Sequence, residues 1–237
     1  MRIHFIQHVN FESPTHIQTW AQKRGYPFIG HHVYRGDSFP KLDDFDMLVV
    51  MGGPMGVHDE DKFSWLKQEK QLIRDAVRKG KLVLGICLGH QLLADALGGK
   101  VGKSPEPETG FFDVAFLSEI KDSPVFGFLA GETVKTCQIH GDAVLILPKG
   151  ARQTATNAAC PIQAFEMHGG RVVGLQFHLE LTAERLEDVF ACVPQDFQKK
   201  GKYVDSVEKV RADVAKYTPN THAVLEKIMD NLVMLHG

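Results

Sequence analysis

The sequence has no long hydrophobic run and no cysteine pairing pattern. None of its apolar stretches approaches the roughly 18 residues that a membrane-spanning helix needs, and its first residues lack the apolar core of a signal peptide. The four cysteines, Cys87, Cys137, Cys160 and Cys192, form no CxxC pair. We therefore expect a cytoplasmic protein with reduced thiols and no membrane partner.

The sequence also lacks an excess of either charge. Lys and Arg number 27 against 29 for Asp and Glu, which gives a formal net charge of −2. This balance gives no electrostatic reason to expect a nucleic acid as partner. The 237 residues are 43% hydrophobic and 24% charged, a composition that excludes disordered and collagen-like chains and predicts a sizeable globular core.

Nucleotide-binding loops are absent from the pattern as well. Residues 97–104 end like a Walker phosphate loop, but Leu97 stands where that loop needs a glycine. No GxGxxG or SGGxDS pattern occurs elsewhere in the sequence. We therefore expect no ATP site, no cofactor and no metal ion.

Strand and helix patterns alternate in the first hundred residues, which predicts a parallel sheet covered on both faces. Short runs rich in β-branched and aromatic residues indicate strands, and apolar residues at helical spacing indicate helices. The predicted strands are 2–7, 27–34, 46–51 and 81–86, and the predicted helices are 15–24, 62–79 and 88–97.

After residue 100 the pattern changes to successive strands and then to helices. These strands are 112–117, 133–138, 144–147, 162–167 and 171–177, and these helices are 183–198, 206–215 and 220–235. The sequence therefore predicts an α/β fold with a mostly parallel central sheet and a helical C-terminal appendage. We expect one domain over residues 1–185, with residues 186–237 packed on it as a helical extension.

The segment Gly85-Ile-Cys87-Leu-Gly89 has the pattern of a nucleophile elbow, a sharp turn from a strand into a helix. Small residues on either side let the backbone fold tightly enough to expose Cys87. The helix dipole and the unpaired amides at the start of the helix favour the thiolate form of such a cysteine. A buried structural cysteine would leave both glycines unexplained.

A second chemical pattern is the pair His178-x-Glu180. Side chains two apart in an extended segment project from one face. Glu180 can then accept a hydrogen bond from one imidazole nitrogen, which turns the other nitrogen of His178 towards the nucleophile. In an α/β-hydrolase the acid precedes the histidine, so the order of these residues disfavours that class.

Three segments together resemble the class I glutamine amidotransferases. Residues 85–91, ending in Gln91, resemble the GxCxGxQ signature, Met51-Gly-Gly53-Pro54 resembles the oxyanion loop, and residues 176–180 resemble the QFHPE segment. Gln138-Ile-His140-Gly-Asp142 is most similar to the glutaminase part of GMP synthases and their stand-alone relatives. The resemblance implies a flavodoxin-like fold over residues 1–185.

The resemblance also implies roles for individual residues. Cys87 would be the nucleophile, His178 the base and Glu180 the residue that orients it. The backbone amides of Gly53 and Leu88 would form the oxyanion hole.

Further residues would bind the substrate. The resemblance implies this role for Gln91, Gln138 and His140, with Asp142 beside them. Residues 108–110 resemble a segment near the pocket mouth, but a surface loop is an equal alternative for them. Leu179 departs from the family pattern, which has proline there, and we expect a slightly less rigid segment with the same chemistry.

The implied activity is release of ammonia from glutamine through a γ-glutamyl thioester on Cys87. Two alternatives stay open: hydrolysis of another γ-glutamyl compound, and an inactive binding or regulatory module that has kept the fold. A separate ATP-dependent synthetase subunit is a further partner that the resemblance allows.

Overall fold

The structure is a computed structural model that describes residues 1–197 and 200–236. Within these residues the strands are β1 Ile3–Gln7, β2 Phe28–His32, β3 Met47–Val50, β4 Leu82–Ile86, β5 Lys100–Phe116, β6 Thr133–Ile146, β7 Arg152–Thr156, β8 Ala164–Met167 and β9 Val172–Leu175. The helices are α1 Thr15–Lys23, α2 Trp65–Arg78, α3 Leu88–Ala96, α4 Ala183–Cys192 and α5 Val207–Met234.

The nine strands form one sheet in the order β2-β1-β3-β4-β9-β8-β7-β5-β6. The first five strands of this order are parallel to one another, and the other four continue the sheet in antiparallel fashion. The α/β class predicted from the sequence is therefore confirmed. The carboxyl ends of β1, β3, β4 and β9 lie side by side, which is the usual place for a site in such sheets.

Alternate residues of the parallel strands pack into two separate cores, one on each face of the sheet. In β3, Met47 and Val49 join a core that includes α1 and α5, whereas Leu48 and Val50 join a core that includes α2 and α3. Helices thus cover both faces, as the alternating pattern predicted. The C-terminal helix α5 belongs to the same hydrophobic core as the central strands.

The antiparallel half differs from the strands predicted for it. Residues 100–116 and 133–146 form one long hairpin, where the sequence indicated three shorter strands. The first half of β5 was not predicted, because residues 100–108 are mostly polar and lack the apolar pattern of a strand. The register of the hairpin also shifts between Lys103 and Glu108. The short strand β7 was not predicted, because its five residues include only one hydrophobic side chain, Ala155.

The C-terminal helices also differ from the prediction. The two helices predicted at 206–215 and 220–235 are one helix, α5, with Pro219 inside it. Proline removes one backbone hydrogen bond, but the buried side chains on either side, such as Val214 and Leu225, keep the helix packed on the protein. The predicted helix 183–198 ends at Cys192, and its last residue lies outside the described residues.

Among the described residues no helix is both long and apolar enough to span a membrane.

Candidate active site

The nucleophile elbow predicted at residues 85–89 is present, and backbone contacts determine its shape. Cys87 lies between β4 and α3 with φ 53° and ψ −108°, a conformation that L side chains rarely adopt. A Cβ on Gly85 would lie 2.5 Å from the Gly89 carbonyl, and one on Gly89 would lie 2.0 Å from the carbonyl oxygen of Val50. Glycine is therefore required at both positions.

His178 and Glu180 lie just beyond the end of β9, next to the elbow. His178 Nδ1 is 2.7 Å from Glu180 Oε1, and both side chains are almost completely buried. His178 Nε2 is also buried and has no hydrogen-bond partner among the described residues. The Cys87 thiol is close enough to contribute to the pKa of His178, so the three predicted side chains lie together.

The charge state of His178 follows from its neighbours. Burial lowers the pKa of its imidazole, but the negative charge of Glu180 and the contacts with Cys87 and Glu180 outweigh burial. The pKa of His178 therefore lies well above its ordinary value. Glu12 adds to this effect, and it lies beside the same glycine as His178: a Cβ on Gly52 would lie 2.7 Å from Glu12 Oε2 and 3.3 Å from His178 Cε1.

Leu179, which departs from the family pattern, makes a contact that proline could not make. Its backbone N–H donates to Glu180 Oε2 at 3.0 Å. Together with the imidazole of His178, this amide occupies both oxygens of the carboxylate. Thr15 and His16, at the start of α1, donate to the backbone carbonyl of Glu180. The segment is thus held by hydrogen bonds instead of by a fixed proline φ.

The proposed oxyanion donors also lie beside the elbow. Gly53 follows the end of β3 and lines the same cavity as Cys87. A Cβ on Gly53 would lie 3.0 Å from Leu88 Cδ2, so the two residues are direct neighbours. Leu88 is the first residue of α3, and its amide is one of those that a helix leaves without an internal partner.

The cavity at the elbow has a volume of about 220 Å³. Gln91, one of the predicted substrate residues, lines it and donates to the carbonyl of Asp142 at 2.9 Å. The rim carries an ion pair in which Lys103 Nζ is 2.7 Å from Asp142 Oδ1. Gln195 and Asp196, from the turn after α4, complete the lining. A larger groove of about 950 Å³ begins near Lys81, before β4, away from these residues.

The other two predicted substrate residues have different positions. His140 lines the cavity, and its imidazole is 3.1 Å from Glu108 Oε2. Gln138 is fully buried, donates to Thr136 and Gln163, and is not among the described residues that line the cavity. Glu108 is fully buried, so the surface-loop interpretation of that segment is wrong.

Glu108, His140 and Cys160 also form a cluster whose potential ligand atoms lie within 4.8 Å of one another. The carboxylate oxygens of Glu108 already accept hydrogen bonds from Asn157 at 2.6 Å and Gln163 at 2.7 Å. Burial raises the pKa of the Cys160 thiol to about 12, so it stays protonated at neutral pH. Hydrogen bonding therefore accounts for this cluster without a metal ion.

Two further buried groups near Cys87, the thiol of Cys137 and the imidazole of His90, have pKa values that do not suit a nucleophile or a base. Burial raises the pKa of the Cys137 thiol to about 12, and Cys137 lies in β6 without an elbow. Burial lowers the pKa of His90 to about 3, and its ring packs on Phe165. His90 is thus a neutral core residue.

Comparisons with known sequences show the family of the chain. The family model described as glutamine amidotransferase class-I matches residues 22–190. This chain belongs to that family. It is 34% identical over 218 residues to the glutamine amidotransferase-like protein YfeJ of Salmonella typhimurium, covering 90% of each chain. It is also 34% identical over 163 residues to one of the subunits of a glutamine-hydrolyzing GMP synthase from Ignicoccus hospitalis, covering 67% of this chain and 81% of that one.

Solved structures of amidotransferases match the whole architecture. A glutamine amidotransferase from Thermotoga maritima superposes with a TM-score of 0.87 at 27% identity, covering 98% of each chain. One from Methylobacillus flagellatus gives a TM-score of 0.91 at 25% identity, covering 98% of this chain and 94% of that one. The likeness therefore includes the C-terminal helices.

Sequence reasoning missed three buried polar residues behind the oxyanion segment: His8, Glu12 and Glu69. His8 follows β1, and Glu69 lies on the buried face of α2. These residues were hidden because a single polar residue, whether in an apolar pattern or in a loop, carries no signal about its partner. Glu69 did have one visible signal, since it falls on the side of α2 that the apolar residues Leu66 and Ile73 assign to the core.

Proposed function

We propose that this amidotransferase hydrolyses the γ-amide of glutamine, with Cys87 as nucleophile, His178 as acid and base, and Glu180 as the residue that orients His178. The observation that carries this proposal is the position of the His178 ring. One of its nitrogens is paired with Glu180, and the other has no hydrogen-bond partner in the described chain and lies beside the strained Cys87. A buried imidazole held in this way is suited to exchanging protons with a thiol.

In the first half of the reaction, the Cys87 thiol gives its proton to His178, and the sulfur attacks the amide carbon of the substrate side chain. The carbonyl oxygen becomes an oxyanion, which accepts hydrogen bonds from the amides of Gly53 and Leu88. His178 then gives a proton to the departing nitrogen as the carbon–nitrogen bond breaks. Ammonia leaves, and a γ-glutamyl thioester remains on Cys87.

In the second half, His178 takes a proton from a water molecule, which attacks the thioester carbon. The same two amides stabilise the second oxyanion, and the carbon–sulfur bond breaks to release glutamate. The carboxylate of Glu180 stabilises the imidazolium that forms in each half. The site is thus used twice with the same donors.

The cavity favours a small substrate with a free amino-acid group. Its volume of about 220 Å³ is below the range of about 300–1,000 Å³ that larger ligands occupy. Lys103 and Asp142 supply one charge of each sign at its rim, which suits the carboxylate and ammonium groups of an amino acid. Glutamine meets both conditions, and a γ-glutamyl compound with a longer leaving group would have to extend out of the cavity.

A separate synthetase subunit is a further candidate partner, because one matched relative is itself named as a component of a multi-subunit GMP synthase. The match to that relative covers 67% of this chain, whereas the match to the amidotransferase-like protein covers 90%. The wider match is to a relative whose name mentions no synthetase.

The decisive experiment incubates the purified protein with glutamine and with a panel of γ-glutamyl amides and peptides, and measures glutamate and ammonia. We expect glutamate release from glutamine by the wild-type protein and none by Cys87→Ala. The matched control is Cys137→Ala, which removes a buried thiol close to the same histidine and should keep its activity if it folds.

Full activity in Cys87→Ala would contradict the mechanism. Loss of activity in Cys137→Ala with an intact fold would show that the nucleophile is the other thiol. If only a γ-glutamyl peptide is cleaved, the chemistry stands and the assignment of glutamine as substrate is wrong.

A further inference from the structure

A series of buried hydrogen bonds connects helix α2 to residues 51–53, the segment that contains Gly53. Glu69 Oε1 lies 2.9 Å from His8 Nε2, and His8 Nδ1 lies 2.8 Å from the backbone oxygen of Gly52. The side chains of His8 and Glu69 are completely buried. The ring of Trp65 stacks on His8 at a centroid distance of 5.4 Å, which fixes the plane of the imidazole. This chain of hydrogen bonds uses none of the triad residues.

The direction of these hydrogen bonds follows from their chemistry. A carbonyl oxygen only accepts, so His8 Nδ1 carries a hydrogen and donates it to Gly52. Burial lowers the pKa of His8, but the charge of Glu69 and the hydrogen bonds to Glu69 and Gly52 raise it by more. The pKa of His8 therefore lies above its ordinary value, and both of its ring nitrogens face oxygen acceptors.

The carbonyl that His8 holds belongs to the same peptide group as the Gly53 amide. The described chain has no cis peptide bonds, so the C=O and the N–H of this group point in opposite directions. Because the oxygen is turned towards His8, the Gly53 N–H is turned away from it. Gly53 lines the cavity of Cys87, and no described backbone carbonyl accepts a hydrogen bond from its amide.

This peptide group has little else to hold it. It lies between two glycines and outside any strand or helix, so neither residue has a side chain, and no ladder of backbone hydrogen bonds fixes the plane of the peptide. A rotation by half a turn would point the carbonyl of Gly52 into the cavity and remove the amide of Gly53 from it. A carbonyl there would repel an oxyanion.

We infer that His8 is a positioning residue, held by Glu69, that locks the Gly52–Gly53 peptide in the orientation in which the Gly53 amide can stabilise the oxyanion. This inference rests on the proposed function for its catalytic meaning. Every member of the lock belongs to this chain, so this orientation of the peptide needs no residue from a partner protein.

The test compares three substitutions. His8→Phe keeps a ring that can stack on Trp65 but removes the donor, and His8→Asn keeps a donor near the position of Nδ1. His4→Leu is the matched control, because His4 is a buried histidine of the preceding strand that pairs with His31 instead. The crystal structure of each variant gives the direction of the Gly52 carbonyl, and kinetics with glutamine give kcat and KM.

We expect the peptide to be rotated or disordered in His8→Phe, with kcat lower by about 100-fold and KM changed less than about threefold, the effect of losing one oxyanion donor. His8→Asn should recover most of kcat and the original peptide, and His4→Leu should match the wild-type protein in both. If His8→Phe does not fold, Glu69→Gln provides the second test. This substitution keeps the size of the side chain but removes the negative charge that faces His8. It should lower kcat with little change in KM.

An unchanged carbonyl direction and unchanged kcat in His8→Phe would overturn the lock, and so would equal losses in His8→Phe and His8→Asn. If the wild-type protein cleaves no γ-glutamyl compound, the proposed function fails. The carbonyl direction in the His8 variants then decides the lock alone.

Discussion

The nucleophile elbow and the segments that face it are held in place by different kinds of contact. In the elbow, residues 85–89, the close approaches join backbone to backbone, as between Gly89 and the carbonyl of Val50. The facing segments, residues 51–53 and 178–180, are irregular, and hydrogen bonds from side chains and single amides hold them. A side chain added at Gly85 or Gly89 would therefore clash with the backbone of the elbow. In the facing segments, a substitution can remove a single hydrogen bond and leave the others in place.

This difference separates two kinds of sequence information. The elbow is encoded by adjacent residues, so its motif can be read directly from the chain. The facing segments depend on partners far away in the sequence, such as His8 for residue 52 and the start of α1 for Glu180. Substitutions in the elbow should therefore mainly lower the stability of the fold, whereas substitutions in the facing segments should mainly lower kcat.

The largest effect is expected from Gly89→Ala in the elbow. The new methyl group would lie 2.0 Å from the Val50 carbonyl oxygen, and neither backbone can move without disrupting the sheet. We expect the free energy of unfolding to fall by about 3 kcal/mol, measured by urea denaturation. Gly80→Ala is the control, because nothing lies within 4 Å there and only its φ of 68° is unfavourable. A loss of about 1 kcal/mol is expected for it, and equal losses would contradict the comparison.

Substitution of the triad residues should remove activity while the fold remains. His178→Ala removes the group that carries the proton, and we expect kcat to fall by about 100- to 10,000-fold. Glu180→Gln only weakens the orientation and charge of His178, so its loss should be smaller. Glutamate release together with thermal melting separates activity from folding. Equal losses in two folded variants would mean that Glu180 does more than orient the histidine.

The ion pair between His178 and Glu180 predicts that the stability of the fold depends on pH. Burial lowers the pKa of His178, but Glu180 raises it by more, so the folded chain keeps a proton that the unfolded chain releases above a pH of about 6.5. The stability that this proton contributes is fully present below that pH and is lost as the pH rises through the folded pKa. The stability difference between the wild-type protein and Glu180→Gln should therefore shrink from pH 6 to alkaline pH. A difference that grows with pH would contradict this assignment.

The smallest effect is expected from Leu179→Pro, which removes one amide from Glu180. The hydrogen bond between His178 and Glu180 remains, so kcat should fall by less than about tenfold, or ~1.4 kcal/mol. Leu179→Val is the control, since it keeps the amide and has a side chain of similar size to proline. If Leu179→Pro matches or exceeds Leu179→Val in kcat, the amide contributes nothing to the triad.

The sequence by itself determined the α/β class and the elbow, since both rest on short-range patterns. Alternation of strands and helices predicted the parallel half, and the glycines around Cys87 predicted the turn that the backbone contacts require. The strand β7 and the continuous helix α5 were not predicted, because burial against other elements overrides their local sequence.

Only the tertiary structure decided which buried polar residues near the site form hydrogen bonds with one another. The pairing of His8 with Glu69 joins residues 61 positions apart, and no local pattern specifies which buried carboxylate a buried histidine will meet. The same is true of Glu108, which is buried because Asn157, Gln163 and His140 converge on it. A buried polar group is stable only when its hydrogen bonds are satisfied, and its partners come together only when the chain folds.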